Sequence, residues 1–579
     1  MPDEAKPKTA FYVVGAILVL GLIAFAVWRA DIFAPKAKAT DAGSITPEDL
    51  AKVKKTEGLE APDVNVPTTV KEYTYIPEEK LPPVTGVSSY SPLKDNTVKF
   101  ALNVWAGWAP IIFANEGFAP GKKWKAADGT EFKVELVLID DPVAMRDAYA
   151  AGKVHIGWAT LDMLPLFMEE LAKDSRVMPR VPMQIDWSNG GDGIVARADI
   201  KSINMLKGKT IVLAQNSPSQ YFILNALIAA GIQPKDVTFK YTATAFEAAA
   251  AFNADKSISA CVSWAPDIYN LTKPGTGNTL ILTTATANHL IADVWYARAD
   301  FAKDHGPIVE GLVRGILDAV DELSKADDKK KTAAGYMAKG YSMPPEDALG
   351  MLGDAHWTNY AENREFFLNE ANPANFERTW DTAYYLYERI GKTSKKTPFD
   401  QVMDFSILAK LGKEAKYADS KNEYVVKFTP KSVDAIKAES GEILVNTVRI
   451  HFYPNSFELY KKITRTVGSK PVEELYDPNV DTVLEGVAKL SATYGAARIV
   501  IEGHTDGSMK GSIPFEDVRT LSENRANAVK EALVSKYKMD PNKFSVVGMG
   551  WNVPADPDDP MNHALNRRVE IKVYPVEGM

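Results

Sequence analysis

One stretch of this chain is apolar without a break. Residues 11–28, FYVVGAILVLGLIAFAVW, carry no charge, and a run of that length is close to the roughly 20 apolar residues that cross a bilayer. A cleavable signal has a shorter apolar region of about 7–15 residues and a small-residue cleavage site. Here Ala37 and Ala39 flank Lys38 and make a poor one, so the run reads as an uncleaved transmembrane anchor within residues 1–33. No cysteine stands directly after it, which argues against a lipoprotein anchor. Over residues 34–95 the pattern dissolves into Pro, Lys, Glu and Thr, as in APDVNVPTTVKEYTYIPEEKLPPVTG. Such a segment cannot build a core and reads as an extended linker. A short helix is expected after the Thr46 cap.

From residue 96 to residue 415 the pattern alternates between strand and helix periods. VKFALNVWAG, FKVELVLID, VHIGWA, GKTIVLA, VTFKYTA and SACVSWA read as strands. PVAMRDAYAAG, NSPSQYFILNALIAAG and AFEAAAAFNAD read as helices between them. This βα alternation predicts α/β architecture with parallel sheets. Residues 301–411 are expected to be mainly helical, and 416–441 a second connector. Residues 442–579 predict a compact α+β unit: strands at 446–452, 498–503 and 569–573, with helices at 480–494 and 521–537.

Composition changes this picture little. The chain has 579 residues, 46% hydrophobic and 25% charged, with a net charge of -8, which suits several globular domains and no nucleic-acid partner. A single cysteine, Cys261, excludes an intrachain disulfide and a cysteine-based metal cluster. The seven histidines are scattered. No HExxH, GxSxG or phosphate-binding glycine loop occurs, so no catalytic residue, metal or cofactor is assigned and the chain reads as a non-enzyme.

Candidate chemistry begins at Asp506, which ends the strand IVIEGHTD, and Arg525, on the helix that begins near Leu521. A carboxylate and a guanidinium in one cleft suit a zwitterion. They could equally form a plain ion pair. Thr505-Asp506, Leu521-Ser522 with Arg525-Ala526, and Arg567-Arg568-Val569-Glu570, preceded by FYPNS at 452–456, resemble the OmpA-like peptidoglycan-binding family. The chain departs from the family in a longer loop after Asp506 and in Val518. The resemblance implies that Thr505, Asp506, Arg525, Arg567 and Arg568 hold the diaminopimelate stem peptide of peptidoglycan, with His504 structural. It also places the bulk of the chain in the periplasm of a Gram-negative bacterium, with a single-pass anchor in the inner membrane.

The middle region, with NVWAGWAPIIFANEGF, VELVLIDDPVAMRDAYAAGKVHIGWATLD and GDGIVARADIKSINMLKGKTIVLAQNSPSQYFILNALIAAGI, resembles periplasmic solute-binding proteins of the nitrate, sulfonate and taurine type. That implies a two-lobed fold and a cleft for a small polar solute. GIVARAD (193–199) and VWYARAD (294–300) are the expected lobe crossings, with a second lobe at about 198–292. Loops after strands then nominate Trp105, Trp108, Thr160, Asp162, Asp186, Ser188, Asp192, Trp264 and Asp267 as cleft residues. Ser217, Ser219 and Gln220 open a helix whose N–H groups suit a polar group. Tryptophans serve equally in a core, and acids such as Asp186, Asp192 and Asp267 serve more often as caps or on the surface. If several acids face the cleft, an amine-bearing ligand is favoured over nitrate or sulfonate, with cation–π support from tryptophan. The combined reading is a tethered receptor that works with an ABC permease or an envelope complex. The runner-up is a structural tether whose middle domain binds proteins. A stator role is disfavoured because the apolar run contains no acid.

Overall fold

The computed structural model describes Glu60, residues 73–467 and residues 470–576. The expected anchor and the Thr46-capped helix lie outside them. No helix among the described residues is long and apolar enough to cross a membrane.

The middle region folds around two sheets. Its strands are β1 (Thr97–Leu102), β2 (Trp124–Lys125), β3 (Glu131–Leu138), β4 (Ile156–Thr160), β5 (Pro179–Ser188), β6 (Asp192–Arg197), β7 (Thr210–Ala214), β8 (Thr238–Thr242), β9 (Ala260–Trp264), β10 (Asn278–Thr283), β11 (Ala292–Arg298) and β12 (Ala355–Trp357). The first sheet has the order β12-β5-β11-β4-β1-β3-β2 and the second β10-β6-β9-β7-β8. Parallel pairing holds at β1–β3, β1–β4, β7–β8 and β7–β9. The sheets are nevertheless mixed, because β11 runs antiparallel to β4 and β5, and β6 to β9.

The two segments expected to be crossings are therefore strands. GIVARAD lies almost wholly in β6 of the second sheet and VWYARAD in β11 of the first. The chain passes between sheets just before β6, at residues 189–191, and after β10, at residues 284–291. Both segments are apolar because a strand buried on two faces needs to be, and that is why the pattern alone did not separate hinge from core. Local signals do fix the helices between strands. Asp141 accepts the Ala144 N–H to cap Pro142–Ala150, and Thr244 and Glu247 form a capping box at Ala245–Ala254.

The end of the expected linker is bound to the body. Residues 73–93 form no helix or strand, but they strap both sheets. Tyr73 Oη donates to the Ile228 carbonyl at 2.8 Å, beside the second sheet. Ser88 N–H donates to the Ala150 carbonyl at 3.1 Å, beside the first. Prolines at 77, 82 and 83 keep this strap extended, so its backbone groups bond to the lobes instead of to each other.

The C-terminal module adds β13 (Leu444–Val448), the hairpin β14 (Lys462–Val467) and β15 (Lys470–Leu475), β16 (Ala497–His504), β17 (Phe544–Gly550) and β18 (Arg568–Pro575). Its main sheet has the order β13-β18-β16-β17. The helices Val480–Thr493 and Phe515–Tyr537 accompany it. Strand β13 ends at Val448, so FYPNS is a loop and not the end of a strand. The second helix begins at Phe515, ahead of the expected Leu521, and Val518 is one of its buried residues.

Candidate functional site

In the C-terminal module, β16 is buried along its length and delivers Thr505 and Asp506 at its C-terminal end. The Phe515–Tyr537 helix lies directly on β16 and β17, because Gly503 and Gly548 offer it no side chain. A Cβ on Gly503 would sit 1.9 Å from the Ser522 carbonyl oxygen. This close approach brings Arg525, one turn further on, over the strand end. Asp506 accepts from Arg567 Nε and from the Ser508 N–H at 2.7 Å. The buried Thr505 hydroxyl meets no hydrogen-bond partner among the described residues.

The sequence-predicted pair Asp506 and Arg525 do not bond each other. Arg525 forks onto Glu60, with Nη1 and Nη2 each 2.8 Å from a carboxylate oxygen. Asn455 N–H adds a bond at 2.6 Å, and Arg567 Nε stands 3.5 Å away. Glu60 is 2% exposed. Burial pushes its carboxyl up, but Arg525, Arg567 and the Asn455 N–H outweigh that and hold it below the ordinary range. The FYPNS loop prepares this pocket. Phe452 lies 5.1 Å under the Arg525 guanidinium, Ser456 carbonyl accepts from Arg525 Nε at 2.9 Å, and Asn455 takes the left-handed conformation, φ 57°, that asparagine tolerates.

Arg568 does not join this group. Glu570 holds its Nε at 2.7 Å, and the Val553 and Asn566 carbonyls accept its remaining N–H groups. His504 is internal. Burial, then the charge of Arg568, lowers its pKa to about 4. Glu502, His504 and Glu570 lie close enough to hold a cation, but Lys437, Lys572 and Arg568 already neutralise the two carboxylates.

The middle module gathers acids where its two sheets meet. Asp186 on β5 is in register with Asp293 on β11, which is also in register with Thr160 on β4. Asp162 follows β4 and Asp192 opens β6. All four aspartates are buried. Trp105 Nε1 donates to both Asp186 oxygens at 3.3 and 3.2 Å, and Gly107 leaves the room that Asp186 fills. Ser188 donates to Asp192 at 2.6 Å. Across the sheets, Tyr269 donates to Asp354. Among the described residues, no lysine or arginine offsets these acids.

The electrostatic result follows. Burial pushes Asp162 and Asp192 up to about 7 each and Asp354 up to about 6. Asp186 and Asp293 are raised as well, by burial first and then, for Asp293, by Asp186 itself. A cluster of this kind takes protons or a cationic group.

The remaining candidates separate. Trp108 is fully buried in the core, donating to Asn103 at 2.7 Å and standing edge-on to Phe100. Trp264 is half-buried and in register with Asp192. Asp267 begins the helix Asp267–Thr272, and burial raises its carboxyl. Ser217 hydroxyl donates to the Ala214 carbonyl at 2.8 Å. Ser219 is buried, with no partner for its hydroxyl among the described residues. Gln220 Nε2 donates to Glu78 of the strap at 2.9 Å, and Gln215, Tyr241 and Lys392 converge on the same carboxylate. Sequence pattern does not single out Asp293, Asp354, Glu78 or Glu60. Asp293 left one signal, an acid inside the apolar run IADVWYA. Glu60 and Glu78 left none, because each acts far from its place in the chain.

Comparison with known proteins fits this two-part geometry. Residues 472–568 match the OmpA family, and residues 130–329 match the family described as NMT1/THI5 like. The chain is 26% identical to the taurine-binding periplasmic protein of Escherichia coli K12 over 288 residues, 48% of this chain and 86% of the relative. It is 39% identical to outer membrane protein Omp38 of Acinetobacter baumannii over 99 residues, 17% of this chain and 26% of the relative. It thus spans about a quarter of that outer membrane relative's length. Among solved structures, the periplasmic aliphatic sulphonate binding protein SsuA from Escherichia coli is similar over 55% of this chain and 100% of its own, with 18% identity and a TM-score of 0.42. The chain therefore joins an NMT1/THI5-like solute-binding domain to a C-terminal OmpA domain.

Proposed function

We propose that this chain, an NMT1/THI5-like domain joined to an OmpA domain, is a wall-bound receptor for a small amine-bearing solute. It binds and does not turn over its ligand. The observation that carries the solute class is the aspartate cluster between the sheets, buried and without a basic partner among the described residues. An ammonium group placed there supplies the missing positive charge, and Trp105 presents an aromatic neighbour. Taurine, for which one relative is named, carries such an amine.

The OmpA domain supports the second half of the reading, peptidoglycan binding. Arg525 and Asp506 then receive the carboxylate and ammonium of diaminopimelate, with Arg567 beside them. The apolar run at residues 11–28 supplies an inner-membrane anchor. A receptor held at membrane and wall serves a nearby permease or an envelope-sensing assembly better than a diffusible carrier would.

The test is thermal shift and calorimetry on the full chain in detergent. Taurine and linear diamines should raise the melting temperature by mass action, and ethanesulfonate and nitrate should not. Asp192→Asn should abolish the response while keeping the fold. Binding only of the amine-free anions would sink the amine reading. Sedimentation with purified sacculi tests the wall contact: Arg525→Ala should lose binding, whereas Arg568→Ala, which touches Glu570 instead, should keep it. Carbonate extraction of membranes tests the anchor, and a protein released by carbonate would remove it.

A further inference from the structure

The pocket of the OmpA domain is filled by a carboxylate from the same chain. Glu60 is 465 positions from Arg525 in sequence and lies outside the matched domain at 472–568. Yet its carboxylate receives the two-pronged Arg525 contact, the Asn455 N–H and the flank of Arg567. These groups would recognise any carboxylate, and each would be needed to hold one from a stem peptide. Asp506 accepts from Arg567, and a buried guanidinium beside it needs an anion once water is excluded. For Arg525 that anion is Glu60, from the segment preceding the solute-binding module.

We propose that Glu60 is an intramolecular latch, a tethered carboxylate that competes with the peptidoglycan carboxylate for Arg525 and keeps the wall site closed until it is withdrawn. This rests on the peptidoglycan reading above for the identity of the competitor. A tethered group competes at high effective concentration. If it occupies the site nine-tenths of the time, the apparent affinity for an outside ligand falls about tenfold. The wall grip thereby depends on the segment that precedes the solute-binding module.

The full chain in detergent is titrated with a soluble diaminopimelate-containing muropeptide. Glu60→Ala should bind about tenfold tighter than wild type, Glu60→Gln should also bind tighter because it lacks the charge, and Arg525→Ala should not bind in either background. Equal or weaker binding by both Glu60 variants, with native circular dichroism, overturns the latch. Absence of binding by every protein would instead remove the peptidoglycan reading. Hydrogen exchange then decides the latch by itself. The Asn455 amide, protected in wild type, should exchange faster in Glu60→Gln, and unchanged exchange overturns the proposal.

Discussion

The aspartates between the sheets make a sign-definite prediction about pH. Asp162 and Asp192 titrate near 7 in the folded protein, against about 4 in an unfolded chain. Between those values the folded state holds protons that the unfolded state has released. Stability is therefore fully present below about pH 4 and is lost as pH rises through 7, by on the order of a few kcal/mol per group. The melting temperature of the ligand-free protein should fall from pH 5 to pH 8, and Asp162→Asn should flatten the fall. An amine ligand should reverse it by binding the charged form. A melting temperature that climbs steadily over this range in both proteins would show that the cluster is not buried as described.

Among the elements, the strap touches the neighbours of both sheets without itself forming a helix or strand. Its anchor is Glu78, which accepts from Gln215, Gln220 and Tyr241 and pairs with Lys392 at 3.1 Å. The Lys392 side chain is 1% exposed, so removing its ion partner leaves a buried charge whose acceptors among the described residues are the Glu79 carbonyl and Asn216. Glu78→Ala should cost about 3 kcal/mol in chemical denaturation. A loss within 0.5 kcal/mol, roughly the range of ordinary surface substitutions, would mean that the strap is passive. Proline-rich composition marked this stretch as extended, but composition is silent on whether an extended segment is solvated or bound.

The two modules meet at a crossing between the sheets. His289 N–H donates to the Thr493 carbonyl at 3.2 Å, and Asn288 Oδ1 accepts the Ala496 N–H at 3.0 Å. Tyr424 of the connector donates to Asn189, in the other crossing, at 2.9 Å. The C-terminal module and its connector thus grip both segments that must bend if the lobes move. His289 lies edge-on to Trp187 and against Tyr424. Burial, then the charges of Lys543 and His356, lowers its pKa to about 4. Its contribution is present above the unfolded value near 6.5 and is lost as pH falls toward 4. Acidification from pH 7 to 4 should destabilise the junction, and His289→Gln should remove about one proton of that dependence. If the wild type and His289→Gln show the same acid slope, the junction is not held at His289.

Periodicity alone determined the α/β middle region, the α+β end and most element positions, because a strand or helix buries a face set by its own residues. Short motifs located Asp506 and Arg525 for the same reason, since each sits in a local strand-end or helix-start context. The tertiary structure decided the partners. Arg525 could not be matched to Glu60 from local pattern, nor Asp186 to Asp293, because those contacts join positions whose spacing along the chain carries no signal. It also separated Trp105 from Trp108, three residues apart, sending one indole to a carboxylate and the other into the core. The hinge segments and the strap depended on which backbone groups found partners across the fold. A linear pattern of apolar and polar residues does not encode that long-range choice.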